Sequence, residues 1–196
     1  MAKQNVIKMI SPPSSAAYAW LSKPDEGQEY SDGKYKVTLK LDKNNKEHKG
    51  FIKELDANTK EMIEELQQND KTWKSKDLSE MKPAYRDGDD STKEDFHGFF
   101  TLTCKTKFRP GMVDCSDPVQ SLPEGDEPRS GDLIRASIAI QPYAMGKSNF
   151  GVSAQLRNVQ LVERNNLGQE SDEFGAVSGG YTSSSKPVVE DDDEDF

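Results

Sequence analysis

The chain is poor in the residues that most enzymes and secreted proteins rely on. Its 196 residues include two cysteines, Cys104 and Cys115, and two histidines, His48 and His97. No Cys-x-x-C pair occurs, and a four-ligand zinc site would have to gather all four of these residues in one place. Two reduced thiols are therefore expected, with no metal and no cofactor. Long apolar runs are absent too. Only 33% of the residues are hydrophobic and the mean hydropathy is −0.87, and no stretch approaches the roughly 18 apolar residues of a membrane helix. Met1 to Asn5 runs into polar, proline-broken sequence, which argues against a secretory leader and a membrane protein alike. The Gly-x-x-x-x-Gly-Lys-Ser/Thr phosphate loop, the Gly-x-Ser-x-Gly elbow and His-Glu-x-x-His are all missing. Carboxylates abound, but they cluster in turns and at the C-terminal end, where no burial could separate their pKa values for acid–base work. Catalysis is not expected.

Charge is abundant, and its placement is informative. The net charge is −9. Residues 165–196 hold nine acids and one lysine, a net of −8, so residues 1–164 are almost neutral at −1. The acidity is appended to the body. This divides the chain into a folded domain, 1–164, and a linker with an acidic tail, 165–196. Six consecutive acids, Glu190, Asp191, Asp192, Asp193, Glu194 and Asp195, precede the terminal Phe196. Like charges without apolar surface cannot offset ordering entropy, so a disordered tail is expected. An ordinary solubilising acidic end accounts for the acids but not for the ring; the sharper reading is a DNA mimic, carboxylates standing for phosphates and the phenyl group for a base.

The body reads as mainly β. A broken strand or arm over Val6 to Leu21 ends in a short strand from Tyr18. Tyr35, Val37, Leu39 and Leu41 then alternate with Lys34, Lys36, Thr38 and Lys40, the period of a half-buried strand with a lysine-rich wet face. Phe51, Ile52, Leu55, Thr59, Met62, Ile63 and Leu66 recur at three- and four-residue spacing, one amphipathic helix over 49–69. Residues 70–95 are polar and turn-rich and read as a long excursion with little order. Three strands and a shorter one follow, over 96–108, 112–115, 133–143 and 150–162. In the last, the apolar face shifts from Leu156 to Val159, as a β-bulge does. About five strands with one long helix fit an OB-type barrel better than a doubly wound α/β sheet.

Aromatic residues beside cations recur on exposed strand faces and loops. Single-stranded nucleic acid needs this combination, since its phosphates take cations and its unpaired bases stack on rings whatever the sequence. The candidate phosphate contacts are Lys36, Lys40, Lys105, Lys107, Arg109, Arg135 and Lys147. Tyr143 is the first stacking candidate, because its neighbours on that strand face are polar; Trp20, Tyr35 and Phe108 follow it. Tyr35 and Phe108 are equally readable as core residues. The alternative from another class is a protein-binding adaptor or acidic chaperone with an OB-like body. A metal-dependent nuclease using the clustered carboxylates ranks behind both.

The chain resembles the replication single-stranded DNA-binding proteins of T-odd short-tailed bacteriophages. The likeness rests on Met1-Ala2-Lys3, Tyr18-x-x-x-x-Lys23-Pro24-Asp25-x-Gly27, Tyr35-Lys36-Val37, Pro142-Tyr143, Val159-x-Leu161-Val162-Glu163 and the acidic tail ending in Phe196. Met145 stands where that family leads one to expect another aromatic, and residues 70–95 match poorly. The resemblance implies an OB fold that coats ssDNA without sequence preference in replication, recombination and repair, in the cytoplasm of an infected bacterium. It implies a tail, Glu190 to Phe196, that contacts the phage DNA polymerase and helicase–primase; its charge leads one to expect competition with DNA for the same cations. It also implies that Tyr143 lies in the DNA path and that homodimers can form by tail exchange.

Overall fold

Eight strands pair into one sheet whose hydrogen bonding returns to its starting point. The computed structural model describes residues 6–26, 31–146 and 148–165. The strands are β1 (Ile7–Ile10), β2 (Ser14–Trp20), β3 (Tyr35–Asp42), β4 (Tyr85–Asp87), β5 (Phe99–Thr106), β6 (Gly111–Val113), β7 (Leu133–Ala144) and β8 (Phe150–Glu163). Two helices, α1 (Lys46–Asn69) and α2 (Lys71–Lys74), lie between β3 and β4. Around the sheet, β7 pairs β2, β2 pairs β3, β3 pairs β5, β5 pairs β8, and β8 pairs β7 again. The β5–β8 pairing is parallel and the others in this ring are antiparallel. Strands β1, β4 and β6 attach outside the ring to β7, β5 and β8.

Alternation explains why these segments fill one core. Val37, Leu39 and Leu41 of β3, Leu102 and Cys104 of β5, and Ile134, Ala136, Ile138 and Ile140 of β7 are all fully buried. Their neighbours in sequence point outward, because successive side chains leave opposite faces of a strand. In β8 the register slips between Ser137 and Ile138 of its partner, which lie opposite Asn158 and Leu156. The extra residue, Arg157, turns the apolar face from Leu156 to Val159, and both remain buried.

Helix α1 carries His48, Phe51, Ile52, Leu55, Thr59, Met62 and Ile63 on its buried side, and its apolar residues join the same core as the strands. Asn45 caps it, accepting from the amides of Glu47 (2.8 Å) and His48 (3.3 Å). His48 is structural. Its Nδ1 accepts from the Asp42 amide at 2.7 Å, so its Nε2 donates to the Pro13 carbonyl at 2.9 Å and ties α1 to both β3 and the start of β2.

Residues 70–95 are better ordered than their polar composition suggests. Asp70 ends α1 and caps α2, accepting from the Thr72 amide. Trp73 is buried, edge-on to Phe150 with ring centroids 6.0 Å apart. Lys82 bonds β8 through its backbone, its amide donating to Phe150 and its carbonyl accepting from Val152. Strand β4 then takes part of the free edge of β5. Two other differences from the sequence reading have similar causes. The second strand begins at Ser14, not Tyr18, because Ser14 and Ser15 pair with β7. His97 precedes β5 at the end of a single 3-10 turn, its Nε2 bonded to the Ser91 carbonyl at 2.9 Å. No helix among the described residues is long and apolar enough to cross a membrane.

Candidate nucleic-acid interface

Directly opposed residues of neighbouring strands share a face, so the register of β2, β3 and β5 defines the outer surface row by row. Trp20 lies opposite Lys36, and Lys36 opposite Lys105. Ala17, Thr38 and Thr103 form the next row, with the Thr38 and Thr103 hydroxyls 2.9 Å apart. Ser15, Lys40 and Thr101 form the third, which Arg86 of β4 extends. Phe99 stands in the row beyond, opposite Asp42. The result is a surface of hydroxyls, cations and rings across four strands.

The same surface continues round the ring. Lys105 is in register with Gln155 of β8, whose Oε1 accepts from Gln141 Nε2 of β7 at 2.6 Å. Tyr143 is on the Gln141 face of β7, opposite Gly151, and half-buried. Trp20, Lys36, Lys40, Lys105 and Tyr143 thus share one outer surface. Arg135 shares that face of β7 but sits eight residues from Tyr143, about 27 Å along an extended strand. It bonds the Ser11 carbonyl and Gln160, away from the lysines.

Four other candidates lie elsewhere. Tyr35 is half-buried on the side of β3 that carries Val37 and Leu39, at the strand end. Lys107, Phe108 and Arg109 follow β5, where Phe108 is 78% exposed and so is no core residue. Phe108 and Arg109 border a groove with Val6, Gln155 and Arg157. Lys147 and the tail from Glu190 to Phe196 lie outside the described residues.

Several of these cations are already engaged. Lys36 pairs with the buried Asp25, Lys105 with Asp32 at 2.7 Å, and Arg109 with Glu127 at 2.6 Å. Asp25 and Asp32 both come from the β2–β3 connection, so that loop lays carboxylates against the central lysine row. Lys40 instead lies over the Phe99 ring, 4.5 Å from its centroid.

Sequence reasoning passed over Tyr18. It is 43% exposed and has φ +48°, in a bulge of β2 between Ala17 and Trp20. Its ring centroid is 5.8 Å from that of Phe96, and Lys93 Nζ stands 4.7 Å from the ring centre while donating to the phenol oxygen at 2.5 Å. Its place in the Tyr18-to-Gly27 motif was the available signal; the bulge hid its exposure.

The model of the family described as Enterobacter phage Enc34, ssDNA-binding protein, matches residues 8–192. The chain belongs to that family. The relationship expected from scattered short motifs therefore holds along nearly the whole sequence. Solved structures agree at the level of fold. The single-stranded DNA-binding protein of bacteriophage Enc34 in complex with ssDNA aligns with a TM-score of 0.61 and 23% identity, covering 83% of this chain and 88% of that one. A C-terminal truncation of the Enc34 protein gives 0.61 and 20%, covering 85% and 94%. The single-stranded DNA-binding protein gp2.5 encoded by bacteriophage T7 gives 0.58 and 21%, covering 87% and 98%. A search of curated proteins finds no match.

Proposed function

We propose that the chain binds single-stranded DNA without sequence preference on the outer face of β2, β3 and β5, and that the ring of pairings is an OB-type barrel. The observation that carries this is the Trp20–Lys36–Lys105 row, a ring and two cations in register on adjacent strands. Membership of a phage ssDNA-binding family supports it. Lys40, Lys107, Arg109 and Lys147 add charge along the path, and Tyr143 and Phe108 add stacking surfaces. Arg135 contributes least, given its distance from the row. The protein works as a non-catalytic coat on ssDNA in phage replication, recombination and repair, in the cytoplasm of the infected host. The tail, Glu190 to Phe196, competes with DNA for the same cations, recruits the phage polymerase and helicase–primase, and supports dimers by exchange.

A salt titration of oligo-dT and matched duplex binding tests the reading, using the full chain and a form ending at Asn165. Each phosphate contact with a single strand should contribute about −0.7 to the slope of log K against log salt. The shortened form should bind ssDNA more tightly and lose the replication partners. Absence of oligo-dT binding at low salt in both forms would overturn the reading in favour of a protein-binding adaptor.

A further inference from the structure

We propose that Tyr18, with Lys93 at its hydroxyl and Lys40 beyond Phe96, is a further base-stacking platform at one end of the DNA path. The proposal rests on the ssDNA reading above and adds a site to it. Three independent observations converge on this position. The first is the backbone. A non-glycine residue at φ +48° costs free energy and persists only where its surroundings hold it, here the bulge of β2, and such residues cluster at functional sites. Here the strain holds a ring partly in solvent, the reverse of what core packing would select.

The second observation concerns charge. Lys36 and Lys105 are already paired with Asp25 and Asp32. Around Tyr18 the cations meet rings and a phenol instead: Lys40 lies over Phe96 and Phe99, and Lys93 donates to the Tyr18 hydroxyl. Arg86, in the row of Lys40 and Thr101, is exposed and has no ion-pair partner among the described residues. Phosphate oxygens meet less competition at cations that no carboxylate holds.

The third is the arrangement of the rings. Phe96, buried, supports Tyr18 at 5.8 Å, while Lys93 is bonded to the phenol oxygen at the far end of the ring and leaves ring face uncovered. A base stacks on the open face, and the ammonium at the hydroxyl end stands where it can meet the adjoining phosphate.

The test uses the full chain and oligo-dT, with affinity read by fluorescence anisotropy for wild type, Tyr18→Leu and Tyr18→Phe. Loss of one stacked base should weaken Tyr18→Leu by roughly 5- to 150-fold, while Tyr18→Phe keeps most of the affinity. Wild-type binding matched by Tyr18→Leu would overturn this proposal and leave the ssDNA reading standing. No wild-type binding would overturn both. Should Tyr18→Leu fail to fold, photocrosslinking of wild type to bromodeoxyuridine-substituted oligo-dT decides. Adducts at Tyr18 support the platform; adducts confined to Trp20, Phe108 or Tyr143 overturn it.

Discussion

Asp32 loses solvation against the sheet, which raises its pKa, yet the hydrogen bond from Lys105 and the charges of Lys105, Lys34 and Lys36 hold it below the usual carboxylate value. A lowered carboxyl stabilises the fold above its unfolded pKa, about 3.9, and that contribution is lost as pH falls through the folded value. Removing the carboxylate also frees Lys105. Asp32→Asn should therefore bind oligo-dT more tightly, with a salt slope steeper by up to about 0.7, in a titration against wild type. Tyr85 behaves oppositely. Burial first, then the charge and hydrogen bond of Asp56, push its phenol up to about 12. A raised pKa means the contribution is complete below about pH 10 and lost as pH rises through about 12. Denaturant melts across that window should show wild type losing stability relative to Tyr85→Phe.

Among the elements, the excursion 70–95 meets β8 through a close approach at Gly151. A Cβ at Gly151 would meet the Lys82 backbone carbonyl, which itself bonds Val152. Gly151→Ala should cost about 1–3 kcal/mol in chemical denaturation, with the loss concentrated where this segment meets β8. Elements differ in how visible they are in sequence for the same reason. Strand β3 and helix α1 are long enough for period and burial to agree, and the face shift at Val159 marks the bulge in β8. Strand β6 is found at Gly111–Val113, near the short strand expected at 112–115, and β1 lies within the broken strand or arm expected from Val6. The three residues of β4, by contrast, show no period and pair only through β5. Trp73 sits among lysines, and its burial depends on Phe150, far along the chain. The lysines and Trp20 were legible as candidates. The carboxylates that engage Lys36 and Lys105 were not, since pairings across 11 and 73 positions leave no local pattern. Tyr18 was hidden likewise, its ring partner Lys93 lying 75 residues away.

At the scale of the molecule, the described body ends in a charged clasp rather than at the last strand. Arg164 pairs with the buried Asp132 at 3.1 Å, and the Asn165 amide donates to the same carboxylate at 2.9 Å. A form ending at Glu163 leaves Asp132 with the Arg129 amide alone of these partners. It should be less stable than one ending at Asn165 by about 1–3 kcal/mol, measured by denaturant unfolding. The acidic segment can thus be removed cleanly only beyond Asn165.

The ring is unevenly sewn. Strands β7 and β8 run together from Leu133 to Ala144, whereas β5 meets β8 only at Cys104 and Lys105, and β2 meets β7 only at Ser14 and Ser15. Two short seams therefore join two broader lamellae, one bearing the Trp20–Lys36–Lys105 row and the other Tyr143. Breathing should begin at those seams, at a lower free energy than global unfolding. Native-state hydrogen exchange should show the β5–β8 seam amides opening before those of the β7–β8 hairpin. A strand laid across both lamellae would act as a suture, slowing exchange at amides it never touches.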